Sequence, residues 1–236
     1  MILPANNAER QIKLSGRPEI TVLLRPSLRA SRLSLRISRL KGQVTLSLPM
    51  SCPMVQAENF ILEKESWIRE HLADLPLATQ VGFDRQVPFA GRTLTICPGS
   101  GRQVEWKGDL LLVPGGRSLV PARVKAFLKL QARLALYEAV DDYAKRLRQS
   151  YGRLTLRDTT SRWGSCSTQR NLNFSWRLIM APPEVLRYVA AHEVAHLEQM
   201  NHSARFWALV EHIFPGHQAQ RDWLKRHGEE LHRYHF

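Results

Sequence analysis

Apolar and polar residues alternate in several short stretches of the amino-terminal half. The alternation runs through RLSLRIS and resumes in VTLSL after the turn-like LKGQ. A period of two places one set of side chains on one face of a sheet, so residues 19–49 are predicted to form strands that include a hairpin. RTLTICP and VEWKGDLLLVP predict further strands, with Lys107-Gly108-Asp109 as the turn within the second stretch.

Helical spacing replaces the alternation in three other stretches. VQAENFILEKESWIREHLADL, residues 55–75, gathers apolar bulk on one side of a helix. A longer stripe with the helical period recurs at Val124, Phe127, Leu130, Leu134, Tyr137, Val140, Ala144 and Leu147. Pro182-Pro183 can start a third helix, because proline is tolerated where a helix leaves its first N–H groups without partners.

The order of these elements predicts an α+β protein with two regions. Pro114-Gly115-Gly116 interrupts the pattern and favours a boundary there. Residues 1–115 are expected to form a β-rich region with one helix, and residues 116–236 a second, mainly helical domain. In the second domain RLTLRDTTSRWGSC and NLNFSWRLIM flank STQR, which predicts a small antiparallel sheet.

The composition is that of a globular protein. A chain of 236 residues with 44% hydrophobic content can bury a sizeable core. It has no run of 18 apolar residues and no secretory signal pattern, so we expect a cytoplasmic protein without a membrane partner. Cys52, Cys97 and Cys166 are odd in number and widely spaced, which argues against a disulfide framework or an all-cysteine metal site.

Three of the nine histidines lie within HEVAHLEQMNH. His192 and His196 are four residues apart on the third predicted helix, which puts them on one face with Cβ atoms roughly 5–6 Å apart. That separation suits two ligands of one zinc ion. Glu193 is rotated by about 100° from His192, so it is placed to act as a base on water rather than as a third ligand.

A third ligand is needed, because a catalytic zinc takes three protein ligands and leaves a fourth position open. Asn201 can end the helix and Ser203 is a good N-cap for ARFWALVEHIF, so His202 falls in the corner between two helices. A side chain there can fold back towards the two other histidines. His202 is therefore the predicted third ligand of a single zinc ion, and Glu211 on the following helix is the competing candidate.

Three ordered blocks resemble the YgjP-like predicted metal-dependent hydrolases, which are relatives of the SprT-like and WLM zinc peptidases. The blocks are SRWGSCST at 161–168, NLNFSWRLIMAPPEVLRYVAAHEVAHL at 171–197 and MNHSARFW at 200–207. The resemblance implies a minimal zincin domain over residues 116–236, with His192, His196 and His202 as zinc ligands and Glu193 as the catalytic base. It also implies a zinc metallopeptidase of the His-Glu-x-x-His type that acts on a peptide or protein.

Other residues near these blocks are candidates for substrate contact. Arg162 and Tyr188 could each stabilise a developing oxyanion. Alternatively, Arg162 forms an ion pair in the hairpin and Tyr188 packs as an ordinary helix residue. Trp163 either walls a substrate pocket, with Gly164 permitting close backbone approach, or plugs the core at a turn. The strand NLNFSWRLIM could present an unpaired edge to an extended peptide.

The formal net charge of +13 predicts attraction to an acidic partner. Arg32 and Arg36 share the polar face of a predicted strand, where they form either a solvated surface or contacts to successive phosphates of a nucleic acid.

The sequence leaves two hypotheses for the function. One is a zinc peptidase, which could act on DNA-bound proteins; the other is a basic nucleic-acid-associated module with a structural zinc. Glu193 favours the enzyme, because a structural zinc site normally closes with four protein ligands.

Overall fold

The computed structural model describes residues 11–38, 42–74 and 78–236. The chain divides between Leu77 and Ala78 into two compact units. Strands and helices occur in both units, so the predicted α+β class is confirmed.

A four-stranded sheet forms one layer of the amino-terminal unit. Its strands are β1 (Gln11–Leu14), β2 (Ile20–Ser27), β3 (Ser34–Ile37) and β4 (Val44–Pro49). They lie in the order β1-β2-β4-β3, in which β2 and β4 are parallel and the other two pairs are antiparallel. The predicted pairing of β3 with β4 is confirmed, although the turn LKGQ falls partly outside the described residues.

Two helices pack on this sheet, α1 (Met54–Glu63) and α2 (Glu65–Ala73). The single helix predicted over 55–75 is interrupted at Lys64, whose backbone has φ −94° and ψ 6°. Alternate strand residues such as Val22 and Leu46 are fully buried together with Ile61 of α1 and Ile68 of α2. The period of two therefore identified the buried face of the sheet.

Arg32 and Arg36, the predicted nucleic-acid contacts, are both exposed. Arg36 lies on β3, which is an edge strand of the sheet. Arg32 precedes the first residue of that strand, Ser34. Only one of the two arginines is thus held by strand pairing.

A second four-stranded sheet follows at the start of the carboxy-terminal unit. After the short β5 (Thr79–Gln80) come β6 (Gln86–Phe89), β7 (Arg92–Gly99), β8 (Glu105–Lys107) and β9 (Leu110–Pro114). The sheet has the order β6-β7-β9-β8. The predicted hairpin is confirmed, since β8 and β9 are antiparallel and Gly108 between them has a φ of 58°.

The sheet of β6 to β9 belongs to the core of the carboxy-terminal unit. Ile96 and Leu111 are fully buried in one cluster with Val124 of the following helix. Pro114-Gly115-Gly116 is a turn beside this continuous core, so the division of the chain at 77/78 differs from the predicted boundary at 115/116. A Pro-Gly break in the sequence marks a turn, and only the packing on either side decides whether it also separates domains.

The longest helix, α3 (Val120–Arg146), follows a 3-10 turn at Arg117–Leu119. Its buried face is made by Val120, Val124, Leu128, Ala132, Leu136, Ala139, Val140, Tyr143 and Ala144. The predicted stripe is therefore partly wrong, because Leu130, Leu134 and Tyr137 are exposed. Leu128 and Leu130 fit a helical period equally well, and the packing of the core in this unit buries the first.

A small sheet next to α3 carries one wall of the candidate site. It consists of β10 (Leu154–Arg157), β11 (Gly164–Cys166) and β12 (Leu172–Ser175) in the order β10-β12-β11. The predicted hairpin of β11 and β12 is confirmed, but β10 and β12 are parallel, so the sheet is mixed rather than antiparallel. The predicted free edge on β12 is also wrong, because β12 is the central strand; the edges belong to β10 and β11.

Three further helices follow a 3-10 helix at Trp176–Met180. They are α4 (Pro183–Ala195), α5 (Ala204–Ile213) and α6 (Gln218–His227). The terminal β13 (Tyr234–His235) pairs in parallel with β5. Within the described ranges, no helix is both long enough and apolar enough to cross a membrane.

Candidate metal centre

Helix α4 positions the first two imidazoles. Pro183 lies in its first turn, as predicted, and most of its residues are buried in the core. The helix ends at Ala195, earlier than the predicted Asn201, but His196 directly after it keeps a helical backbone conformation with φ −66° and ψ −17°. His192 and His196 therefore still share one face, with ring centroids 5.0 Å apart.

His202 completes the cluster from the corner before α5. Its Nε2 atom lies 3.1 Å from Nε2 of His192. Ser203 caps α5, since its hydroxyl accepts a hydrogen bond from the backbone N–H of Phe206, and this fixes the corner as predicted. The ligand atoms of His192, His196 and His202 all lie within 4.8 Å of one another.

Glu211, the competing third ligand, is engaged elsewhere. Its carboxylate accepts hydrogen bonds from the backbone N–H of Gly216 at 3.1 Å and from Nδ1 of His217 at 2.8 Å. These contacts hold the pKa of the exposed Glu211 carboxyl below its usual range. Within the described residues, Glu211 does not belong to the histidine cluster.

The donor set fits a zinc ion. Two nitrogens that are each 2.0–2.1 Å from a tetrahedral zinc lie roughly 3.3 Å apart, close to the 3.1 Å between the Nε2 atoms of His192 and His202. Burial, with the neighbouring His196 and His202, lowers the pKa of His192 to about 3. Burial also lowers the pKa of His196. Both rings are thus neutral at neutral pH, which is the form that binds a metal.

A backbone carbonyl sets the orientation of one ligand ring. Nδ1 of His196 lies 2.9 Å from the carbonyl oxygen of Gln199, to which its N–H donates. This assignment of the proton leaves the Nε2 lone pair of His196 free to face the cluster. The turn that ends α4 therefore orients a candidate metal ligand as well as reversing the chain.

Phe206 forms the floor of the cluster. Its ring is fully buried and contacts all three imidazoles, with centroid separations of 4.8 Å to His192, 4.4 Å to His196 and 4.8 Å to His202. The helical spacing of Phe206 in ARFWALVEHIF gives no sign of this triple contact. One aromatic side chain packs the three rings together from below.

Glu193 lies beside the cluster without belonging to it. Its side chain is buried, with 5% of the residue exposed. An ideal Cβ on Gly164 would lie 2.5 Å from Oε1 of Glu193, so only glycine leaves room for this carboxylate. Burial raises the pKa of Glu193 to about 8, and the positive charge of Arg162 opposes that rise.

A cleft opens over these groups and has a volume of about 440 Å³. Arg162 lines it, as the sequence suggests for a substrate contact. The other lining residues are Ser161, Gly164, Ser165, Cys166, His192, Glu193, His196, Met200 and His202. The sequence did not predict Ser165 and Met200 as lining residues. They are brought to the cleft by the fold of the β11–β12 hairpin and of the corner after α4.

Cys166 faces this cleft as a protonated thiol. Burial, together with the nearby Glu193 carboxylate, raises its pKa to about 11. Its Sγ atom lies 3.5 Å from the carbonyl oxygen of Ser167. Within the described part of the chain Cys166 does not join the ligand cluster.

The remaining two candidates lie away from the cleft lining. Trp163 packs against His232, with ring centroids 5.1 Å apart, and its ring lies 3.0 Å from an ideal Cβ on Gly228. Tyr188 is buried and stacks on His217, with its ring centroid 6.0 Å from that of His192. Both side chains occupy the packing positions that the sequence left open as alternatives.

Comparison with protein families identifies the class to which this fold and site belong. Residues 31–227 match a family model described as YgjP-like, metallopeptidase domain. The match covers most of the chain, and the chain therefore belongs to the YgjP-like family, as the sequence resemblance predicts.

Solved structures give a partial likeness. The metallopeptidase zymogen abylysin of Pyrococcus abyssi aligns with 22% identity over 43% of this chain and 99% of its own, with a TM-score of 0.36. The zymogen jannalysin of Methanocaldococcus jannaschii aligns with 18% identity over 40% of this chain and 96% of its own, with a TM-score of 0.34. A search of curated proteins returns no significant match. The family assignment rests on the family model.

Proposed function

We propose that this chain is a zinc-dependent peptidase that binds one zinc ion on His192, His196 and His202 and uses Glu193 as its general base. The observation that carries the proposal is the buried carboxylate of Glu193 next to the three-imidazole cluster but outside it. The match to a metallopeptidase domain supports the same class of reaction.

The chemistry needs a group that accepts a proton and then returns it. When bound, zinc supplies Lewis-acid chemistry that polarises a peptide carbonyl group and acidifies water. Glu193 accepts the proton of the attacking water on its carboxylate and then donates it to the leaving amine. Burial favours the protonated carboxyl, with a pKa of about 8, whereas a divalent cation beside it favours the ionised form. These opposing effects suit a residue that holds the proton only transiently.

A catalytic role for the metal is favoured over a structural one. Structural zinc sites are normally closed by four protein ligands, while catalytic sites leave one position open. Across residues 11–38, 42–74 and 78–236 no fourth His, Cys, Asp or Glu joins the cluster, and the cleft borders all three imidazoles. A purely structural zinc site would not account for the open cleft, nor for the unliganded carboxylate of Glu193 beside the histidines.

The wall of the cleft suits an extended peptide. Gly164, Ser165 and Cys166 form β11, which is an edge strand of its sheet and also lines the cleft. An edge strand offers unpaired N–H and C=O groups that can pair with the main chain of an added strand. Recognition of this kind depends little on side chains, so we propose a peptide or unfolded protein segment as substrate.

The decisive experiment compares Glu193→Gln with the wild type after both are loaded with zinc. We expect unchanged zinc content and thermal stability, and a loss of peptide hydrolysis of at least ~100-fold, because general-base catalysis typically contributes 10²–10⁴. Glu184→Gln is the matched control, since Glu184 is an exposed residue in the first turn of the same helix. Undiminished hydrolysis by Glu193→Gln would remove Glu193 from the mechanism.

A further inference from the structure

With a metal ion bound, the groups that line the cleft would carry a net positive charge. Among the described residues that line it, Arg162 and Glu193 carry the full charges, and the three histidines are the proposed metal ligands. A divalent cation on those ligands and the Arg162 guanidinium together outweigh the single carboxylate of Glu193. A bound substrate therefore meets a local field that attracts negative charge.

The backbone that carries Arg162 is fixed on both sides. The hydroxyl of Thr159 donates a 2.8 Å hydrogen bond to the carbonyl oxygen of Arg162. The backbone N–H of Ser175 donates one of 2.8 Å to the carbonyl oxygen of Trp163. The Trp163 ring is wedged against His232. Arg162 thus lines the cleft from a loop whose backbone is hydrogen-bonded to the end of β12 at the next residue.

Arg162 also differs from other arginines of the same unit in what its guanidinium contacts. Arg177 donates to Asp158 and to the carbonyl oxygen of Leu231, and Arg146 donates to both carboxylate oxygens of Asp142. The guanidinium of Arg162 forms no hydrogen bond or close ion pair with any residue of the described ranges. It interacts with Glu193 through a longer-range electrostatic attraction. Its donors are thus available to a ligand.

We propose that Arg162 binds a carboxylate of the peptide substrate close to the scissile bond, and so makes this enzyme prefer acidic peptides. The inference rests on the proposed peptidase function. A planar guanidinium matches a carboxylate with two parallel hydrogen bonds, which a neutral amide cannot reproduce. The carboxylate can come from an Asp or Glu side chain or from the free end of the peptide, and both sources offer the same group.

The test uses matched pairs of fluorogenic peptides with the zinc-loaded full-length enzyme. One pair differs only in Glu against Gln within two residues of the cleaved bond, and a second differs only in a free against an amidated carboxy terminus. We expect kcat/KM to favour the carboxylate member of at least one pair by ~10-fold or more. The pair that shows the preference identifies the source of the carboxylate.

Variants assign the preference to Arg162. Arg162→Gln should bring the ratio within the sensitive pair close to one, because the neutral amide no longer distinguishes a carboxylate from an amide. Arg162→Glu should instead favour a peptide with Lys at the same position. Arg157→Gln is the control, because Arg157 is an exposed arginine at the end of β10 in the same sheet and is not among the cleft-lining residues. It should keep the wild-type ratio.

The other outcomes overturn the inference and separate it from the proposed function. Equal hydrolysis of both members of every pair by the wild type refutes the acidic preference and leaves the peptidase intact. An equal loss on all peptides in Arg162→Gln means that Arg162 acts on the reaction itself rather than on a substrate carboxylate. If no peptide is cleaved by the zinc-loaded wild type, the peptidase function fails and this inference fails with it.

Discussion

Gly164 and Glu193 approach so closely that no side chain fits between them. An ideal Cβ on Gly164 would lie 2.5 Å from Oε1 and 2.6 Å from Cγ of Glu193. The contact exists because the hairpin partner β12 holds Gly164 on the edge strand that faces α4, the helix carrying Glu193. The position of the proposed base is therefore set by the absence of a side chain on a different element.

This contact predicts the effect of Gly164→Ala. The added methyl group must displace the Glu193 side chain or push β11 away from α4, and overpacking of this kind typically costs about 1–3 kcal/mol of stability. We expect peptide hydrolysis to fall by about 100-fold, because shifts near 1 Å in a catalytic group have effects of that order. Zinc content should be unchanged, since the three atoms nearest to the added methyl group all belong to Glu193 and none to a histidine. Gly82→Ala is the control, as a Cβ there would meet nothing within 4 Å. Full activity in Gly164→Ala would contradict this account.

The choice of third ligand predicts a contrast between two alanine variants. His202→Ala should bind zinc in less than stoichiometric amounts after dialysis, because the cluster then keeps only His192 and His196. Glu211→Ala should retain about one zinc per chain, since its carboxylate is bonded to Gly216 and His217. Metal analysis of the purified proteins provides the measurement. The opposite result, with stoichiometric zinc in His202→Ala and loss in Glu211→Ala, would reverse the assignment.

The stability of the carboxy-terminal unit should decrease in mild acid, in part through His232. Burial beside Trp163, with the positive charge of Arg177, lowers the pKa of His232 from 6.5 to about 4, and Asp158 acts in the opposite direction. Between these two values the unfolded chain binds more protons than the folded one, so the free energy of unfolding falls as the pH decreases from 6.5 towards 4. Above pH 6.5 this contribution is fully present.

The measurement is thermal unfolding of His232→Phe and of the wild type across this pH range. Phenylalanine keeps an aromatic ring against Trp163 but does not titrate. We expect the melting temperature of the variant to depend less steeply on pH between 6.5 and 4 than that of the wild type. All other titratable groups are the same in the two proteins, so their contribution cancels in the difference. Parallel curves would show that His232 is not responsible.

Binding of nucleic acid through Arg32 and Arg36 stays a prediction. Both side chains are exposed, which is necessary for phosphate binding but equally consistent with a solvated surface. If they bind phosphates, affinity for DNA should fall linearly with the logarithm of salt concentration. Arg32→Gln with Arg36→Gln should then make that slope shallower by roughly one unit for each phosphate that is no longer neutralised. Hydrolysis of a small peptide should not change. Absence of any salt-dependent binding at about 50 mM salt would refute the idea.

Local patterns in the sequence were enough to place the proposed metal ligands. The interval from His192 to His196 is a helical repeat, and Ser203 is a capping residue, so the positions of all three imidazoles follow from interactions within a few residues. The same holds for the hairpin of β11 and β12, which is closed by a short turn. Each of these features depends on neighbours in the chain.

The features that the sequence did not predict depend on distant parts of the chain. Leu128 and Leu130 both fit a helical stripe, and only the tertiary packing around α3 decides which one is buried. β10 joins its sheet in parallel with β12, across a connection whose geometry no local pattern specifies. Likewise, Phe206 has the pattern of an ordinary core residue until the fold brings all three imidazoles onto its ring.

That packing of Phe206 against the three rings has a consequence for metal binding. The Phe206 ring contacts His192, His196 and His202 in the folded chain, and packing of this kind reduces the conformational entropy that is lost when an ion binds. An ion that binds only the folded chain then stabilises it by mass action, by an amount that grows with the logarithm of free ion concentration. If these histidines bind zinc as proposed, zinc binding would therefore add to the stability of a chain that is already folded, rather than being required for it to fold.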